Sequence, residues 1–164
     1  MSVNMFLKIN GIDGESQKEN HKNEIDITDF HFGATQTAAW HTGGAGGGAG
    51  KADVTGITIS KRVCKASVNL FKACVTGKHI TDMTIYALKA GDGEQPMVYY
   101  TIKLTDVIIS NFDNTAHIEG DSVLESVALT AAKFEFEYQP QSNTGAKDGG
   151  AIKSFFDIRQ NIAG

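Results

Sequence analysis

Four groups of residues have types and spacings that invite a chemical reading. Residues 46–51 (GGGAGK) come near a phosphate-cradling loop. Such a loop needs Gly, four residues, Gly-Lys and then Ser or Thr, so that backbone N–H groups and the lysine surround phosphate oxygens. With Gly50 and Lys51 fixed, the first position falls on Ala45 and the last on Ala52, and both miss. The stretch also leads into a strand pattern, so no helix N-terminus would face the anion. Gly120-Asp121-Ser122 has the order of an esterase nucleophile block. No helical pattern follows it, and it reads as a turn entering a strand. His31, His41, His79 and His117, with Cys64 and Cys74, are possible metal ligands, but none has the tight spacing of a zinc site. Glu135 and Glu137 are paired carboxylates. Alternation puts them on one outer face beside Lys133, which is a solvated sheet surface. The sequence therefore assigns no catalytic residue, no metal ligand and no cofactor.

Composition narrows the classes further. The 164 residues suit one domain over 1–164, long enough to fold without a metal or disulfide staple. A net charge of −4 argues against nucleic acid, which needs a basic face, and against anionic lipid. Cys64 and Cys74 read as free thiols: on one helix at spacing ten, their Cα atoms would stand ~15 Å apart. The N-terminal residues show no basic region followed by an apolar run, so no signal peptide is expected. No apolar stretch approaches a membrane span, and no membrane insertion is expected.

The elements that would carry these residues follow from periodicity. Met5, Leu7 and Ile9 alternate with Phe6, Lys8 and Asn10 in a first strand, and the polar stretch Glu15 to Glu24 reads as a loop. A second strand runs from about Ile25 to Thr35. Phe30 and Phe32 take its core face, which sends Asp29 and His31 to water or a wet interface. Residues 40–51 (WHTGGAGGGAGK) are too rich in glycine for regular structure. They predict a flexible loop over 41–52. Thr55, Ile57 and Ile59 form a third strand. A helix is predicted over Ser67 to Gly77, with Ser67 as N-cap, Gly77 as C′ residue, and Val68, Phe71 and Val75 as its apolar stripe.

After the helix the period returns to two. Met83, Ile85 and Ala87 alternate in one strand, and Val98, Tyr100, Ile102 and Leu104 share a face in the next. The apolar parity then changes at Thr105-Asp106, which predicts a β-bulge and a bend. Asn111 to Gly120 reads as a turn region. Phe134, Phe136 and Tyr138 point inward in a long strand ended by Pro140, and a C-terminal strand is expected over 151–160. The fold class is mainly β: a β-barrel of two antiparallel sheets with one short inserted α-helix.

Several blocks carry a family likeness. They are Met5 to Ile9, Gly14-Glu15-Ser16, Glu24 to Ile27, Ala49-Gly50-Lys51, Lys65 to Phe71, Gly77-Lys78-His79, Tyr138 to Gln141 and Ile158 to Asn161. In this order and spacing the chain resembles the hemolysin-coregulated protein family, the tube subunits of bacterial type VI secretion systems. The resemblance implies homohexameric rings that stack into an ejected hollow tube, a VgrG-type spike, a contractile sheath, and small effector toxins in the lumen. It also implies synthesis in the bacterial cytoplasm and export without a signal peptide. Val68 departs from a Pro common in the family, and Phe30 and Phe32 from tryptophans.

Under this reading Trp40, His41, Gly43, Gly44, Gly46, Gly47, Gly48, Gly50 and Lys51 are candidates for ring stacking. Asp29 and His31 are candidates for the lumen or a subunit contact. The alternative is a monomeric barrel that carries a small molecule; a third reading, a carbohydrate-active or esterase-like enzyme, would use Ser122.

Overall fold

The computed structural model describes residues 4–39, 48–91 and 95–164. Its elements are β1 (Asn4–Ile9), β2 (Ile25–Ile27), β3 (Asp29–Ala39), β4 (Gly48–Arg62), α1 (Ala66–Thr76), β5 (Ile80–Ala90), β6 (Pro96–Thr115), β7 (Leu124–Tyr138), β8 (Ile152–Asp157) and β9 (Ile162–Ala163). Every pairing is antiparallel, in the order β2-β1-β5-β6-β7-β4-β3, with β8 on β7 and β9 on β8. The mainly-β, single-helix architecture matches the sequence expectation. Among the described residues the strands form one continuous sheet rather than two, and its path does not close by a ladder. The corner is turned at Thr28, whose N–H donates to the Ser60 carbonyl at 2.8 Å and links the β2–β3 junction to β4.

Alternation fills the interior. Leu7, Ile57, Ile59, Met83, Leu104 and Leu129 are fully buried in one apolar cluster. Burying a side chain of this size is worth about 1.5–3 kcal/mol, so the interior is the main source of stability.

The parity change near Asp106 is real, but it is not a one-sided bulge. In β6 the buried set moves from Ile102 and Leu104 to Val107 and Ile109. In β7 it moves from Phe134 to Ala131 and Leu129. Thr105 still faces Lys133 and Val107 still faces Ala131, so both strands switch faces together and register survives. The backbone of Asp106 enters the left-handed region, at φ 52°. Arg159 Nη1 donates to its Oδ2 at 2.9 Å. The register shift in this ladder comes later, between Ile109 and Asn111.

Other boundaries differ from expectation. The second strand is two strands with Thr28 between them, because the chain passes there from β1 to β4 as partner. Strand β6 runs on to Thr115, through half of the expected turn region, since β7 offers a ladder as far as Leu124. Tyr138 is exposed rather than inward, because it stands at the open end of β7. The C-terminal segment is a strand only to Asp157. The chain then turns back through Asn161, at φ 54°, and β9 pairs with β8.

Ser67 does not cap the helix. Lys65 holds the N-cap position without a side-chain bond, and Gly77 at φ 62° ends the helix as expected. Ser67 is occupied elsewhere. Its hydroxyl accepts from Lys61 Nζ and from the Cys64 N–H, each at 3.0 Å, and donates to Glu125 Oε2 at 2.9 Å. Lys61 and Glu125, both fully buried side chains, form an ion pair there. This cluster ties the start of α1 to β4 and β7. The apolar stripe Val68, Phe71 and Val75 faces outward, while Ala66, Ser67, Leu70 and Ala73 face the barrel.

Candidate self-association surface

Strand β3 is the long edge strand of the sheet among the described residues. Its eleven residues pair with β4 along one edge, and the other edge has no strand against it. Strand β4 in turn meets β7 only over Ile57–Arg62. Beyond Ile57, residues 33–39 and 48–55 form a ribbon of two strands. A two-stranded ribbon is marginal in water by itself.

The base of the ribbon is anchored by aromatic packing. Phe30 stacks toward Tyr100 at 6.4 Å between ring centroids, and Phe32 lies 5.3 Å from Phe134 and 5.0 Å from Phe136. Both phenylalanines therefore face the core, as alternation requires. Asp29 and His31 lie on the opposite face, exposed. Higher up, the side chains shrink to Ala34, Thr35, Gln36, Thr37 and Ala38, and those residues are exposed. Two side-chain bonds hold the ribbon together: Thr55 Oγ1 donates to the Gly33 carbonyl and Gln36 Nε2 to that of Gly50, both at 2.7 Å. Register shifts between His31 and Gly33 and between Gln36 and Ala38 add twist.

The glycine-rich stretch is thus partly strand. Gly48, Gly50 and Lys51 belong to β4, which corrects the expected loop over 41–52. The partner strand makes the difference, since a ladder with β3 fixes a backbone that composition alone leaves free. A side chain at Gly50 would crowd Thr37, whose Cβ lies 3.1 Å from the ideal Cβ position. Trp40, His41, Gly43, Gly44, Gly46 and Gly47 lie outside the described residues.

A second edge lies on β8. Strand β9 covers Phe156 and Asp157, and Phe155 exchanges backbone bonds with Gly164 at 2.8 and 3.1 Å. Ile152 to Ser154 have β7 on one side only among the described strands. A cleft of about 340 Å³ opens between the distal part of β4 and the end of β8, lined by Lys51, Asp53, Val54, Phe156 and Ile158. The expected chemical groups do not converge. Glu135 and Glu137 are paired with Lys133 and Lys153 at 3.6 and 3.3 Å on the outer face. No cluster of His, Cys, Asp or Glu fit for a metal occurs among the described residues. Ser122 sits in the exposed turn before β7.

Comparisons with known proteins agree with this architecture. Residues 6–138 match the family model described as "Type VI secretion system effector, Hcp". The chain is 40% identical to Protein hcp1 of Pseudomonas aeruginosa over 162 residues, 99% of each chain. The crystal structure of Hcp1 from Salmonella typhimurium superposes with a TM-score of 0.81 at 32% identity, covering 99% of both chains. A type VI secretion system effector from Yersinia pestis gives 0.75 at 32% identity, over 94% of this chain and 99% of that one. With its fold and its sequence both matching these proteins, the chain belongs to the Hcp family of type VI secretion proteins.

Proposed function

We propose that this chain is a structural tube subunit: six copies close into a ring, and rings stack into a hollow tube ejected by a contracting sheath. A VgrG-type spike caps the tube, and small effector toxins ride in the lumen. The role is mechanical, not enzymatic. The subunit is made in the bacterial cytoplasm and leaves without a signal peptide through the secretion apparatus.

The observation that carries this reading is the bare edge of β3. An eleven-residue strand with one edge unpaired among the described residues is a template for another chain. A ring needs two different surfaces that meet head to tail. The β3 edge and the free part of β8 supply such a pair. Asp29 and His31, exposed at the base of β3, then face the lumen or the neighbouring subunit. In this reading the glycine-rich segment contacts the next ring, with Trp40 as anchor. Six copies each at −4 repel one another, so stacking strengthens as salt rises.

Electron microscopy of negatively stained protein tests this reading. Intact protein gives rings and short stacks. A variant lacking residues 43–47 gives rings that do not stack. Tubes formed by that variant would contradict the role given to the loop, and a field without rings in intact protein would contradict the subunit role.

A further inference from the structure

Helix α1 turns its bulkier apolar side to solvent. Val68, Phe71 and Val75 are 74%, 52% and 64% exposed. Their spacing of three and four puts them in one stripe along the helix. The stripe continues onto the sheet, where the Phe71 ring meets Phe112 edge-on at 5.8 Å. Exposed Lys65, Lys72 and Lys78 rim it. Between Asp53 and Asp82 the chain has no acidic residue, although its net charge is −4. At one end of this rim the Glu15 carboxylate accepts from the Lys65 N–H at 3.2 Å, so Lys72 and Lys78 are its basic part. Single exposed apolar residues are ordinary, but a contiguous set with charged residues along its rim marks an interaction surface.

The loop between β6 and β7, residues 116–123, has the opposite character. Ile118 at its tip is fully exposed, so its side chain packs on nothing in its own chain. Glu119 and Asp121 follow it and His117 precedes it, all exposed. The Gly120 N–H donates to the His117 carbonyl at 2.9 Å, which folds the tip into a turn. The Val63 N–H donates to the Val123 carbonyl at 3.1 Å and ties the loop to the approach of α1. One surface is an apolar floor with a basic rim. The other is an apolar knob with acidic shoulders.

We propose that the Ile118 loop of one copy docks on the α1 face of a second copy. Ile118 seats against Phe71 and Val75, and Glu119 and Asp121 approach Lys72 and Lys78. The contact rests on the reading that copies of this chain associate, and it uses surfaces separate from the β3 edge. It covers apolar area on both partners and pairs opposite charges around the seat, which fixes orientation more than it adds affinity.

Charge reversal with rescue tests the docking, using the full chain in sedimentation velocity across a concentration series. Lys72→Glu and Glu119→Lys each raise the concentration for half-assembly about tenfold, through like charges brought together. The double variant returns to within about threefold of the unaltered chain. Ile118→Asp, which removes the central anchor, raises it about a hundredfold. All three positions are exposed, and unchanged thermal melts of the dilute variants show that the fold is intact. If the unaltered chain assembles and the variants assemble equally well, the docking is wrong while the ring reading stands. Single variants that weaken assembly without rescue in the double variant also overturn it. An unaltered chain that never assembles removes both readings.

Discussion

The two halves of β4 occupy opposite surroundings. From Ile57 to Arg62 the strand pairs with β7, and as far as Ser60 with β3 as well, and Ile57, Ile59 and Lys61 are fully buried. From Gly48 to Thr55 it has β3 alone, and Lys51, Asp53 and Thr55 are exposed. The same fifteen-residue strand is therefore a foundation at one end and a reach into solvent at the other. Gly56 marks the junction: a Cβ there would collide with the carbonyl oxygen of Leu129, so only glycine lets β4 run this close to β7. The folded chain satisfies the proximal half by itself. The distal half keeps an unpaired neighbour edge that a second copy can complete.

Mutations in the two halves should differ in size. The largest effect falls on the buried ion pair. Glu125→Ala strands the Lys61 ammonium in the core and costs about 3–5 kcal/mol in urea denaturation of the dilute protein. Replacing the pair with Met and Leu costs far less, because no charge is then left behind. Next, Ile59→Ala in the proximal half costs about 2–4 kcal/mol, through a cavity in a packed core. The matching distal change, Asp53→Ala, stays within about 0.5 kcal/mol. Equal losses at the two sites would show that the ribbon is as self-supporting as the wall. At the junction, Gly56→Ala costs about 1–3 kcal/mol through the clash with β7.

The smallest effect is a pH dependence. Desolvation in the cleft beside Ile27, Val63 and Cys64 raises the Asp26 carboxyl above its ordinary 3.8, partly offset by a backbone hydrogen bond. A carboxyl raised on folding holds its proton longer in the native state, so its ionisation disfavours the fold as pH rises through that raised value. Asp26→Asn should therefore melt slightly higher than the unaltered protein at pH 7. The gap should close near pH 3, where both side chains are neutral. Thermal melts at the two pH values check the sign.

Much of this was legible in the sequence. Alternation located the core faces of β1, β5, β6 and β7, and Phe30 and Phe32 placed Asp29 and His31 outside. The parity change at Asp106 marked the place where β6 exchanges its buried face. Its form was hidden, because only the pairing shows that β7 changes face opposite it. Helix α1 was misread for a physical reason. It is apolar on two sides, with Leu70 and Ala73 on one and Val68, Phe71 and Val75 on the other, and periodicity cannot say which side meets the sheet. The Lys61–Ser67–Glu125 cluster was invisible because its members lie up to 64 positions apart and meet only through the β4–β7 ladder. Gly48, Gly50 and Lys51 were read as loop because glycine content reports conformational freedom, not the partner strand that removes it.

The claim beneath all of this is that a strand edge left open in the single subunit is closed by another copy. Static light scattering on the purified chain, at concentrations from micromolar to millimolar, tests it most directly. A particle six times the 17.6 kDa subunit is the predicted result. A mass that stays at one subunit across the whole range would contradict it.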